Sequence, residues 1–175
     1  MATARIEDTP AVVAMVGRCS QRTLFHRFHG PTDGVAYTRR LFEDLPRHDT
    51  LMAWNGLVCV GFATLACDEE GVGHLGVLVE DVWQRRRVGT RLTAALVDGA
   101  VARGVSTLRA DVLTGDRFIL DLLRPIGPSA VSFDLGSFSG LVDLSRAQRG
   151  NGARAAALAV HPPQPGGHRS GTALE

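Results

Sequence analysis

Lysine is missing from this 175-residue chain: all 19 of its basic residues are arginine. A GC-rich coding sequence produces that bias without any chemical purpose. Set against 18 acidic residues, the arginines leave a net charge of only +1, so no overall field draws the protein toward nucleic acid or an anionic membrane. Aromatics are also scarce, at 6%, which again argues against a nucleic-acid-binding surface. Cys19, Cys59 and Cys67 are odd in number and show no ligand spacing, so neither a disulfide framework nor a metal site is expected. Cys59, within LVCVGFATL, reads as a buried reduced thiol. No apolar run approaches the roughly 20 residues of a membrane span, and MATARIEDTP lacks a signal-peptide hydrophobic region. A cytoplasmic protein is the expectation. What is present, 45% apolar and 21% charged residues, suits one globular domain over residues 1–145. The Gly-, Pro- and Ala-rich stretch 146–175 reads as a flexible tail.

The hydrophobic pattern predicts short helices first. Pro10 suits a first helical turn, with Val12, Val13 and Val16 at helical spacing; Leu24, Phe25 and Phe28 form a second stripe. Tyr37, Leu41, Phe42 and Leu45 mark a third helix, closed by Pro46. TLMAW and LVCVGFATL flank Asn55-Gly56, a strong two-residue hairpin signal, and GHLGVLV follows the acidic turn Asp68–Gly71, which makes a three-stranded meander. A long helix comes next, with Val88, Leu92, Ala95, Leu96, Gly99 and Ala102 on one face. TLRADVL then reads as the parallel neighbour of GHLGVLV, the helix being the crossover. Asp116 is placed to cap a short helix, RFILDLL. SAVSFDL and SFSGLVDL read as a hairpin about Gly136-Ser137. The sum is an α/β chain with a mixed sheet.

Between the apolar run GHLGVLV and the long helix lies WQRRRVGTRL. A helix start carries unpaired N–H groups and partial positive charge, so arginines gathered there are unfavourable unless something negative binds. A solvated turn or a nucleic-acid patch would also hold three arginines, but a loop between a buried strand and a helix start is what phosphate binding needs. Gly89 permits close backbone approach, and Arg85, Arg86 and Arg87 supply charge.

These residues resemble the GNAT superfamily of acetyl-CoA-dependent N-acyltransferases. The resemblance rests on Gln84-Arg85-Arg86-Arg87-Val88-Gly89, matching Q/R-x-x-G-x-G/A, with a strand before it, a long helix after it, and the later VLTGDRFILDLLRPIG. RCSQRTLFHRFHG is similar to a segment of bacterial protein acetyltransferases of this type. The resemblance implies a three-layer fold with helices on both faces of a mixed sheet that splays at the acetyl-CoA site. It implies that Gln84 to Thr90, including Val88, hold the cosubstrate phosphates, that Asp116 stands where the family has an asparagine contacting CoA, and that Val77, Leu78 and Val79 line the pantetheine arm. A backbone N–H near Leu78 or Val79 would face the acyl oxygen. The family's first motif glycine is replaced by Arg87.

The resemblance also places His74 where related protein acetyltransferases have a general-base glutamate. A neutral imidazole, with an unperturbed pKa of about 6.5, can accept a proton near neutral pH; a half-exposed histidine without a catalytic part has the same sequence. Leu123 stands where many members have a tyrosine that protonates the leaving thiolate, leaving water or the ammonium proton for that task. The implied reaction is direct acetyl transfer to a primary amine, on a protein lysine or a small molecule, with acetyl-CoA as cosubstrate, no metal, no nucleic acid and no membrane; a homodimer stays open. Arg22, His26, Tyr37, Arg40, Glu43, Phe133 and Phe138 are the offered acceptor-cleft residues. His26, His29, His48, His161 and His168 lack partners at ligand spacing and read as surface histidines. Glu80 and Asp81 read as solvated or turn-capping. The alternatives are a non-catalytic acyl-CoA-binding module and a nucleic-acid-binding protein.

Overall fold

A computed structural model describes residues 1–113, 129–134 and 137–144. Its sheet grows from the expected meander. Asn55 pairs with Val58, so the two-residue turn is Gly56-Leu57, one residue on from the expected pair; Gly56 takes a positive φ of 59°, which a glycine adopts without penalty, and turns Asp49–Asn55 (β2) antiparallel into Val58–Cys67 (β3). Val72–Val79 (β4) pairs antiparallel with β3. Val88–Ala102 (α4) then crosses to Thr107–Leu113 (β5), which lies parallel to β4. Ala2–Thr3 (β1), unanticipated from sequence, pairs with β2.

Ser129–Asp134 (β6) and Ser137–Asp143 (β7) form the expected hairpin, but the register pairs Asp134 with Ser137. Ser137 is therefore a strand residue, not half of the turn. β7 lies between β5 and β6, giving a seven-stranded sheet in the order β1-β2-β3-β4-β5-β7-β6. The β4–β5 pair is its one parallel junction.

Three helices cover one face. Thr9–Arg18 (α1) has Pro10 in its first turn. Ser20 caps Gln21–Phe28 (α2) by accepting from Thr23 N, and Asp33 caps Gly34–Glu43 (α3) by accepting from Val35 N and Ala36 N. Each such cap satisfies helix-start donors and is worth about 1 kcal/mol. Val12, Met15, Val16, Leu24 and Phe42 pack there against Met52, Phe62 and Leu78. On the other face α4 packs on Val60, Ala63, Leu65, Leu75 and Val79.

The buried side of α4 is Gly89, Leu92, Thr93, Leu96, Val97, Ala100 and Val101, so the stripe expected through Ala95, Gly99 and Ala102 is rotated. The helix is apolar almost all round, and small residues let several faces compete until the sheet selects one. Cys59 is buried as expected, and so is Cys19; burial raises their thiol pKa values to about 11 and about 12, whereas Cys67 is exposed. Among the described residues no helix is long and apolar enough to cross a membrane.

Candidate functional site

The sheet opens where its one parallel junction ends. β4 and β5 pair only at Val72–Thr107, Gly73–Leu108 and His74–Arg109, and beyond His74 the two strands separate. The hydrogen bonds Asp68 N to Val72 O and Glu80 N to Val60 O fix the phase of the β3–β4 ladder from both ends. Backbone polar groups alternate sides along a strand, so those of Leu78 address β3 and those of Val77 and Val79 address the opening. Of the two backbone donors expected from sequence, Val79 therefore faces the gap and Leu78 does not. The Leu78 side chain belongs to the α1–α3 core.

A cavity of about 1100 Å³ runs from this gap across the face of β4 that carries His74 and Gly76. At one end lies the loop from β4 into α4. A short 3-10 turn, Asp81–Trp83, leads to Arg85 and Arg87 in the left-handed region, at φ 57° and 62°. For residues bearing a Cβ this conformation costs about 1–2 kcal/mol each. Arg87 holds the N-cap position of α4 without a capping side chain, so the helix start presents its N–H groups uncapped. Gln84, Arg85, Arg87, Val88, Gly89 and Thr90 all line the cavity. Arg86 does not; its guanidinium carbon lies 5.0 Å from the centroid of the Trp83 ring. The Gln84 amide donates to Val79 O (3.0 Å) and Thr23 Oγ1 (3.2 Å), tying loop, strand and α2 together.

Glu80 is buried, contrary to the solvated reading, whereas Asp81 stays exposed while accepting hydrogen bonds from α2. Arg18 grips buried Glu80 with two bonds, Nε to Oε1 at 2.9 Å and Nη2 to Oε2 at 2.8 Å, and the side-chain hydrogen bond to Glu80 raises the arginine's pKa. Asp81 accepts from Ser20 N, Ser20 Oγ and Thr23 Oγ1 at 2.9, 2.7 and 2.9 Å. Burial alone would raise its carboxyl pKa, yet these hydrogen bonds hold it below the ordinary value. Together the two acids lock α1 and α2 onto the end of β4.

At the other end His74 is half-exposed, and its Nε2 lies 2.8 Å from Asp68 Oδ2. The hydrogen bond from His74, helped by the backbone N–H groups of Val72 and Glu70, holds the Asp68 carboxyl below its ordinary pKa. An ionised carboxylate only accepts, so Nε2 is the ring nitrogen that donates in this contact, and Nδ1 is not the atom bound to Asp68. Asp68 escaped the sequence reading, although the tight turn to Val72 was a signal that it would sit beside the start of β4. Across the sheet, Arg109 binds Asp111 and donates to Ser139, whose hydroxyl also contacts Asp111.

Of the offered acceptor residues, Arg22, His26 and Tyr37 line the cavity, while Arg40 and Glu43 stand outside its lining. His26, His29 and His48 line it too; His29 is exposed, and His26 and His48 are half-buried. Arg27, Thr64 and Gly76, unremarked in the sequence, form its floor. Asp116 and Leu123 lie outside the described residues, as do His161, His168 and the expected tail at 146–175; of the Phe133 and Phe138 side chains nothing is described. No cluster of three or more His, Cys, Asp or Glu that could hold a metal occurs among the described residues.

Residues 20–127, more than half of the chain, match the family model described as Acetyltransferase (GNAT) family. The GNAT domain of S. lividans PAT is similar in structure, with a TM-score of 0.70 at 20% identity, over 82% of this chain and 89% of that one. Ribosomal-protein-alanine N-acetyltransferase from Brucella melitensis matches with a TM-score of 0.64 at 21% identity, over 82% and 98%. PaiA N-acetyltransferase from Thermoplasma acidophilum, solved in complex with coenzyme A, matches with a TM-score of 0.62 at 15% identity, over 82% and 99%. At these identities the likenesses establish the shared fold. No curated protein matches the sequence.

Proposed function

The chain belongs to the acetyltransferase (GNAT) family, and we propose that it transfers an acetyl group from acetyl-CoA directly to a primary amine. The observation that carries this reading is the parting of β4 from β5, with the Val77 and Val79 backbone groups facing the gap and the uncapped start of α4 beside it. These features fit acetyl-CoA. The N–H groups at the start of α4, with buried Gly89 and the side chains of Arg85 and Arg87, would hold its phosphates. The open edge of β4 would take its amide-bearing arm as a strand takes a partner. When bound, it supplies an acyl group activated as a thioester.

The chain's own residues supply the remaining requirements. The Val79 N–H is a fixed donor for the oxygen on which charge develops. His74 accepts a proton at Nδ1 from the incoming ammonium through intervening water, because His74 and Val79 stand five residues apart, about 17 Å along the strand, while Asp68 holds Nε2–H. The amine lone pair then forms the new C–N bond as the C–S bond breaks. CoA leaves as the thiol after taking up one proton, and one proton per turnover passes to solvent. A dyad oriented in this way favours an enzyme over a module that only binds acyl-CoA. Incubating the protein with acetyl-CoA and a panel of amines and peptides, and following free thiol, tests the reading. Amine-dependent thiol release is the expected result, and CoA binding without turnover on any acceptor would reverse it in favour of the binding module.

A further inference from the structure

Arg27 is a cation in the cavity floor without an acid to neutralise it. It lies on α2 and crosses the Thr64–Gly76 pair of the β3–β4 ladder, its guanidinium in the space a side chain at position 76 would fill. A Cβ at Gly76 would stand 2.6 Å from Arg27 Cζ, so glycine there is what lets the guanidinium lie flat on the sheet. Of its five N–H donors, one Nη2 hydrogen reaches Thr64 Oγ1 at 3.3 Å, while Nε is buried without a partner. No carboxylate lies within ion-pair distance of it among the described residues, and Asp81 and Asp111, the acids that line the same cavity, are already engaged by Ser20, Thr23, Arg109 and Ser139. The Phe28 ring, 5.4 Å from Cζ, compensates the charge only in part. Burial accordingly depresses the arginine's pKa. The other arginines with short polar contacts in this fold meet acids: Arg18 with Glu80, Arg103 with Asp49, Arg109 with Asp111.

We propose that Arg27 receives a carboxylate of the substrate, so that the enzyme acts on an amine carrying its own carboxylate, as an amino acid does, or takes an acyl group that ends in one. A partly desolvated guanidinium fork with donors to spare is complementary to a planar carboxylate. His74 and Gly76 share one face of β4 two residues apart, about 7 Å along the strand. Gly76 stands on β4 between His74 and Val79, so a carboxylate on Arg27 and an amine directed at the acyl carbon fit within one small molecule. The same unneutralised charge repels a second ammonium, which selects against polyamines.

The inference rests on the acetyltransferase reading, and two measurements separate their failures. The first is calorimetric binding of N-acetyl amino acids against their carboxamides, which requires no turnover. The second is kcat/KM for amino acids, their carboxamides and the decarboxylated amines with acetyl-CoA, and for one monoamine without a carboxylate with succinyl-CoA against acetyl-CoA. A charge-assisted contact predicts a preference for the carboxylate of about 10- to 100-fold. Preference among the acceptors assigns the carboxylate to the amine, and preference for succinyl-CoA assigns it to the acyl donor. Arg27→Gln should abolish the preference with CoA affinity unchanged. Gly76→Ala, which retains the charge but displaces it, should do the same, and Arg27→Lys should keep part of it. Equal binding of carboxylates and carboxamides by the folded wild type, with no preference in either arm, overturns the inference even where acetyl transfer to amines is observed.

Discussion

Along β4 the cavity changes material. From Val77 to Val79 and into the start of α4, its polar groups are largely main chain, namely strand N–H groups facing a gap and an uncapped helix start. Around His74 and Gly76 they are side chains brought from α2, from the β3–β4 turn and from β5. A main-chain site depends on a local succession of strand, loop and helix, so it can keep its form while side chains vary. A side-chain site depends on tertiary placement. The first suits a cosubstrate shared by a whole family, and the second suits an acceptor particular to one protein.

The largest effect that would sharpen this contrast is expected at the main-chain end. Gly89→Val places a β-branched side chain at the buried helix start that lines the cavity, and should abolish measurable CoA binding in calorimetry while circular dichroism stays native. Undiminished affinity would put the phosphates elsewhere. At the side-chain end, His74→Ala should lower turnover about 10²- to 10⁴-fold with CoA affinity nearly unchanged. His74→Glu should recover part of the rate at neutral pH. A fully active alanine variant would leave water or another group as the base.

Asp68→Asn is expected to cost no more than His74→Ala, because an amide that offers its N–H to Nε2 can hold the imidazole in the wrong tautomer but leaves the ring in place. The Asp68 carboxyl sits below its ordinary 3.8 through its hydrogen bond to His74. A lowered folded-state pKa contributes stability that is present above 3.8 and fades as the pH falls through the depressed value. The His74–Asp68 contact should therefore persist at every pH above about 4, and the loss in the variant should not vanish between pH 6 and 9. A loss that does vanish there would contradict the positioning role.

The smallest effect is one of stability. Arg87→Gly should relieve the left-handed strain at φ 62° and stabilise the fold by about 1 kcal/mol, read as a melting temperature higher by a few degrees. An unchanged melting temperature would mean that the loop stores no strain at that residue.

How far the sequence disclosed these two ends follows from the same difference. Asn55-Gly56, the apolar strand runs and the Gln84–Gly89 loop are local signals, and the meander, crossover and helix start stand where those signals put them, with the first hairpin turn one residue further on. The contact of Arg86 with Trp83, three residues earlier, is one that the arginine triplet does not announce. The ties of Glu80 to Arg18 and of Asp81 to Ser20 and Thr23 span about sixty residues, a separation that no periodicity reports. Arg27 was invisible for a further reason: an arginine on an amphipathic helix reads as solvent-facing until the strand beneath it is seen to carry glycine at position 76. The insertion of β7 between β5 and β6 likewise depends on long-range pairing.

Whether the gap between β4 and β5 binds the cosubstrate decides most directly what this cavity does. Titration of the purified chain with CoA in a calorimeter, paired with its melting curve, measures this without an acceptor. Saturable heat at one site per chain and a melting temperature that climbs with ligand concentration are predicted, since a ligand that binds only the folded state stabilises it by mass action. No heat and an unmoved melting curve at millimolar CoA would contradict the claim.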